Sequence, residues 1–226
     1  MRIENSRQLA GYFDHTLLKP DAEQDDITKM CSEAVDYGFY AVFVNPFWTS
    51  FASRLLNGTS VKVGTPIGFP LGASTTQVKV FEAEDAMRNG ARELDMVINV
   101  GALKDGNHKM VSKDIAAVVN VSQGLTCKVI IETQFLNRDE KILACKIAQQ
   151  AGTDFVKTST GFFGGAATLE DVGLMVETVG SETGVKASGG IRTLQDTMKF
   201  IEAGATRIGS SASVGILNEW NGDPPR

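Results

Sequence analysis

The segment DFVKTSTGF (154–162) places Lys157 behind two apolar residues in a β-rich run and follows it at once with hydroxyls and a glycine. Burying an ammonium costs free energy, so a lysine inside such a run needs a partner or a task. A second segment, VKASGGIR (185–192), repeats the arrangement around Lys186. Side chains alternate along a strand, so Phe155 and Lys157 share one face, and Lys186 and Ser188 share one face. The two lysines are one strand–helix unit apart, which sets them on neighbouring strands about 5 Å from each other in the pairing direction. One such lysine is explained by a stem that carries its ammonium to solvent at a rim. Two on adjacent strands are harder to explain that way. A second ammonium penalises protonation of the first, and burial adds to the penalty. An amine that gives up its proton readily attacks a carbonyl carbon and forms a Schiff base.

Imine chemistry also needs proton transfer. In LDMVIN (94–99), Asp95 falls on one face with Val97 and Asn99, amid apolar neighbours. Two roles fit it, separately or together: an ion-pair partner that lets the lysines stay buried, and the group that activates the water entering and leaving an imine. Asp14, in FDHTLL, is a further inward carboxylate, and Thr16 in the same segment joins it as a supporting residue. His15 alternates to the other face, where a packed or hydrogen-bonded histidine is expected. His108, in DGNHKM, opens a helix and is expected to be exposed. These are the only two histidines and neither belongs to an HExxH pattern, so no metal and no cofactor is expected.

The last third carries an anion-binding pattern. SGGIR (188–192) and RIGSSAS (207–213) each follow a strand-like run. Gly189 and Gly190 allow close backbone approach, Arg192 adds a charge, and Gly209, Ser210 and Ser211 offer N–H and hydroxyl donors where a helix begins. Either loop alone is an ordinary turn. Together they occupy the two positions where α/β barrels bind phosphate, which points to a small phosphorylated substrate.

The elements that must position these groups alternate along the whole chain. Strands are expected over 12–16, 40–45, 62–67, 94–100, 127–133, 154–158, 185–188 and 206–210. Helices are expected over 21–37, 46–56, 74–88, 107–121, 138–150, 168–180, 193–202 and 212–219. Glycines in YGF, NGA, QGL, AGT and AGA mark the passage from helix to strand. Eight such units favour a closed (β/α)8 TIM barrel, an α/β fold, over an open doubly wound sheet, whose GxGxxG after the first strand is absent from DHTLLKPD. Barrel chemistry sits where strands end, and the residues singled out above stand there. One domain spanning 1–226 is expected, with 221–226 a frayed tail.

Composition bounds the partners. With 22 basic and 27 acidic residues the chain is mildly acidic, which argues against nucleic acid or an anionic membrane surface. Cys31, Cys127 and Cys145 have no CxxC spacing and cannot all pair, as in a reducing cytoplasm. No apolar signal run opens the chain, and no stretch approaches the roughly 18 apolar residues of a membrane span.

Set in order, the motifs DHTLLKP, VNP, IGFPLGA, ELDMVINVGALKDG, KVIIET, DFVKTSTGF, ATLEDVGLM, VKASGGIR and AGATRIGSS resemble those of the deoxyribose-phosphate aldolases, the DeoC-type class I aldolases. The resemblance runs over nearly the entire chain. It implies a homo-oligomeric, cytoplasmic (β/α)8 enzyme that interconverts 2-deoxy-D-ribose 5-phosphate with D-glyceraldehyde 3-phosphate and acetaldehyde. It also implies that Lys157 forms the imine, that Lys186 is the second essential lysine and that Asp95 relays protons. The phosphate-contacting positions it implies are Gly161, Gly189, Gly190, Gly209 and Ser211. The chain departs from the family where Phe43 replaces the usual cysteine before VNP, in Phe163-Gly164-Gly165-Ala166 after STGF, and at Ser213, where a glycine is usual. These departures bear on the loops and on phosphate affinity and remove no catalytic group. Two alternatives stand beside this reading: a barrel class I aldolase with another donor, and a non-catalytic phosphate-binding barrel.

Overall fold

The computed structural model describes residues 3–220; the tail expected at 221–226 lies outside them. Eight parallel strands close into a barrel in sequence order: β1 (Phe13–Leu17), β2 (Ala41–Val44), β3 (Lys62–Ile67), β4 (Glu93–Val97), β5 (Thr126–Ile130), β6 (Phe155–Lys157), β7 (Gly184–Ser188) and β8 (Arg207–Ser210). β1 pairs with both β2 and β8, which completes the ring. The helices are α1 (Ser6–Ala10), α2 (Gln24–Tyr37), α3 (Thr49–Leu55), α4 (Thr76–Arg88), α5 (Val100–Lys104), α6 (His108–Val121), α7 (Arg138–Gln150), α8 (Leu169–Val179), α9 (Leu194–Glu202) and α10 (Ser213–Asn218). No helix among the described residues is long and apolar enough to cross a membrane.

All eight expected strands are present, 62–67 with the expected bounds and the others with shifted ends. The run 94–100 stops at Val97, because Asn99 turns the chain and its side chain accepts the Ala102 N–H as the N-cap of α5. Asn99 is therefore a cap and not an inward strand residue. The run 127–133 stops at Ile130, because Glu132 takes a left-handed backbone (φ 54°) into a short 3-10 turn over Thr133–Phe135. Helix 46–56 divides at Trp48 into a 3-10 turn and α3. The five marker glycines, Gly38, Gly90, Gly124, Gly152 and Gly204, all have φ between 73° and 103°, a region that costs other residues steric strain.

Alternation sorts the side chains into two environments. On β4, Leu94 and Met96 are fully buried against the helices, as are Val129 on β5, Val156 on β6 and Ile208 on β8. The inward set is different. Barrel interiors are ordinarily filled with branched apolar residues. Here Asp14, Glu93, Asp95, Lys128, Lys186 and Arg207 are all at most 5% exposed inside the ring. A charged core gives up apolar burial and pays desolvation, so packing alone does not account for it.

Candidate active site

Strand register brings the charges together. In parallel pairing, partner residues point to the same side, and Asp95 pairs with Lys128, Lys157 with Lys186, and Lys186 with Arg207. Asp95 is the hub. Its Oδ1 accepts from Lys128 Nζ at 2.9 Å, and its Oδ2 accepts from Lys157 Nζ at 2.9 Å and Lys186 Nζ at 2.7 Å. Asp14 Oδ2 takes a second, short hydrogen bond from Lys186, and its Oδ1 accepts from Arg207 at 2.8 Å. Glu93 receives Lys128 at 2.5 Å and Arg207 at 3.3 Å. Outside the ring, Lys79 on α4 is fully buried, pairs with Asp114 on α6 and donates to the Val97 carbonyl at 2.9 Å. That contact fixes the end of the strand carrying Asp95.

The balance of charge is uneven: four cations meet three carboxylates, one positive charge in excess. Burial pushes the Asp14 carboxyl up, but Lys128, Lys186 and Arg207 outweigh it and hold the group at about 2. Asp95 is raised by burial and lowered more strongly by Lys128, Lys157 and Lys186, so it lies well below the usual carboxylate range. Lys186 moves the other way. Burial, joined by the charges of Lys157 and Lys128, overrides Asp14 and Asp95 and brings its ammonium down to about 8. Lys128 is lowered by burial but raised on balance by Asp14, Asp95 and Glu93, which keeps it charged. The excess proton of the cluster is therefore loosely held, and the cluster suits moving a proton near neutral pH.

A cleft of about 280 Å³ opens at the carboxyl ends of the strands, and of the seven ionic residues only Lys157 lines it. Its rim combines Thr16 and Lys19 after β1, Thr160, Gly161 and Phe162 after β6, Ser188 to Arg192 after β7, and Gly209 to Ser211 after β8. Gly189 and Gly190 have φ of 100° and 74°, and a Cβ on Gly189 would stand 2.9 Å from the Gly165 carbonyl oxygen. Only glycine lets these loops approach each other so closely. The cleft thus has an amine at its floor and backbone donors with cationic side chains at one wall.

A model of the DeoC/LacD family of aldolases matches residues 9–219. The chain belongs to that family. It is 56% identical over 181 residues to the deoxyribose-phosphate aldolase of Streptococcus sanguinis, covering 80% of this chain and 82% of the relative. With the corresponding enzyme of a Geobacillus species it shares 57% over 187 residues, 82% of this chain and 83% of the relative. The solved structure of the tetrameric deoxyribose phosphate aldolase from Aeropyrum pernix superposes with a TM-score of 0.90 at 34% identity, over 96% of this chain and 92% of that one.

In this DeoC/LacD aldolase, Asp14, Asp95, Lys157 and Lys186 meet as one hydrogen-bonded group, and the glycines and serines expected to bind phosphate all line the cleft. Individual roles differ in detail. Thr16 lines the cleft while its hydroxyl donates to the Asp14 carbonyl. The Ser210 hydroxyl donates to the Ile191 carbonyl and accepts from the Ala212 N–H, so it ties the two phosphate-type loops together. A Cβ on Gly209 would press on Ser188 and on the Lys186 stem at 2.9 and 3.0 Å, so this glycine also makes room for the lysine. Among the departures, Ala166 abuts Gly190, and Phe163 packs against Phe135. His15 hydrogen-bonds Glu33 on α2 at 3.1 Å, on the outer face as expected, and His108 is exposed.

Sequence reasoning missed Lys128, Glu93 and Arg207. The alternation that selects Asp95 in GLU-LEU-ASP also selects Glu93, and the same rule applied to CKVI selects Lys128. Lys19, in LLKP, lines the cleft, and the Glu132 carboxylate accepts the Thr160 N–H at 3.0 Å; neither is among the residues that the sequence pattern selects. Glu132 falls inside the run expected as strand, 127–133, and only the turn that ends β5 at Ile130 sets it past a strand end, so the sequence alone gives no signal for it.

Proposed function

We propose that this aldolase reversibly cleaves 2-deoxy-D-ribose 5-phosphate to D-glyceraldehyde 3-phosphate and acetaldehyde through an imine on Lys157. The observation that most supports this is that Lys157 alone of the buried cluster reaches the cleft, with Asp95 and Lys186 bonded behind it. The neutral Lys157 amine attacks C1 of the open-chain sugar to give a carbinolamine, and loss of water leaves a protonated imine. Removal of the proton from the C3 hydroxyl then breaks the C2–C3 bond. Its electrons form an enamine, with the imine nitrogen as sink, and glyceraldehyde 3-phosphate departs. Protonation at C2 and addition of water release acetaldehyde and restore the lysine.

Asp95 steers the water and balances the charge of the lysines, and Lys186, with its loosely held proton, supplies and recovers protons. Arg192, the glycines at 161, 189, 190 and 209, and Ser210 and Ser211 receive the 5-phosphate, with Lys19 as a further cation at the rim. The three buried, unpaired cysteines fit work in the reducing cytoplasm. A homo-oligomer fits Phe47 and Phe81, which are 81% and 62% exposed. The test is cleavage of deoxyribose 5-phosphate followed by coupled reduction of the released aldehydes. Turnover of this sugar but not of dihydroxyacetone-derived phosphates is expected; the reverse preference contradicts the substrate assignment.

A further inference from the structure

Three aromatic rings meet the buried cations and have no part in the chemistry above: Tyr40 and Phe155 face Arg207, and Phe43 is the one over Lys186. Phe43 on β2 is 1% exposed, and its neighbour in the register is Gly64 on β3. A Cβ on Gly64 would stand 2.3 Å from the ring, so ring and glycine form one fitted unit. The ring centroid lies 3.9 Å from Lys186 Nζ, 4.4 Å from Lys128 Nζ and 6.0 Å from Lys157 Nζ. An aliphatic side chain in that place would only exclude water from three ammoniums. The face of an aromatic ring carries negative potential and attracts them.

We propose that Phe43 is a positioning residue, whose ring face holds the Lys186 ammonium against Asp95 and favours its charged form. The proposal rests on the reading of Lys157 and Lys186 given above. Lys186 is faced by Asp14 from β1, Asp95 from β4, Lys128 from β5, Lys157 from β6 and Arg207 from β8. Its two carboxylates are shared with the other cations, and the cluster has one positive charge more than its carboxylates neutralise. The ring adds an attraction of its own to that of the two shared carboxylates. It also spares the site a fourth carboxylate, which would neutralise the excess charge and fix every proton. With the ring in place, Lys186 keeps a proton at neutral pH and still releases it readily, as a proton donor in an imine cycle must.

The test compares wild type with Phe43→Leu and with 2,6-difluorophenylalanine at position 43. The fluorinated ring keeps the volume and loses much of its face charge, with the fluorines away from the ring edge that meets Gly64. The readouts are kcat and KM across pH, together with Tm. An alkaline limb of kcat near pH 8 is expected in wild type. Phe43→Leu should move it down by roughly one pH unit, and the fluorinated ring by part of that, with little change in KM. A limb that stays in place in both variants while Tm falls would show a ring that only fills space and would overturn the proposal. Movement in the leucine variant alone would do the same, because it would come from repacking. If Phe43→Leu does not fold, the fluorinated variant decides. A wild-type enzyme whose borohydride adduct maps away from Lys157 would overturn the reading of the site, and the proposal with it.

Discussion

Replacing Asp95 by asparagine keeps the shape of the side chain and removes the charge that three ammoniums share. Lys128, Lys157 and Lys186 all lie within 2.9 Å of its carboxylate oxygens, and all four side chains are at most 6% exposed. After the change, two carboxylates would face four cations, and the new amide NH2 would aim a donor at an ammonium. Removing one partner from a buried ion pair costs about 3–5 kcal/mol. In a chain of this size each kcal/mol is worth about 2–4 °C, so Tm should fall on the order of 10 °C. Because Asp95 is also proposed to move protons, kcat should fall by about 10²-fold or more at a temperature where the variant is still folded. Thermal unfolding by circular dichroism and steady-state cleavage of deoxyribose 5-phosphate measure the two effects separately. A variant with wild-type Tm and near wild-type kcat would refute both roles. A lowered Tm with full kcat would leave Asp95 as a charge balance only.

Two further outcomes are expected. Asp14 is held at about 2 against an ordinary 3.8, and Asp95 is also depressed. Their contribution to stability is therefore complete above about pH 4 and is lost as pH falls toward 2. For Asp14 alone the loss is about 2 kcal/mol. A Tm series from pH 5 to pH 2 should drop steeply below 4 in wild type and less steeply in Asp14→Asn; equal slopes would contradict the charge assignment. Arg192→Leu should raise KM for deoxyribose 5-phosphate about tenfold and leave unphosphorylated deoxyribose unaffected. Arg192 is the better probe of the phosphate site than Gly190, whose left-handed φ and contact with Ala166 would strain any substitution regardless of charge. Equal losses for both sugars would remove the phosphate from that wall.

The reasons why some of the site was legible and some was not are physical. Period-two alternation and glycine-marked turns are local, so strand count, barrel class and the inward faces of Lys157, Lys186 and Asp95 follow from short segments. Strand ends depend on caps and turns formed a few residues later, which is why the runs 94–100 and 127–133 continue as strand through Asn99 and Glu132 in the sequence pattern. Which inward residues meet depends on register across eight strands. Nothing in TCKVI says that Lys128 will sit beside Asp95 and under Phe43, because that contact arises only when the ring closes. Phe43 departs from the family pattern, but its partner, Gly64, lies on the next strand, so their fit is set only by the register.

The claim that Lys157 is the nucleophile is tested most directly by reducing the enzyme with borohydride in the presence of acetaldehyde and mapping the modified peptide by mass spectrometry. An ethyl group on Lys157 is predicted in wild type. It should be absent from Lys157→Leu at every pH. An ethyl group on Lys186 or Lys128, or a fully active enzyme that traps nothing, would contradict the account.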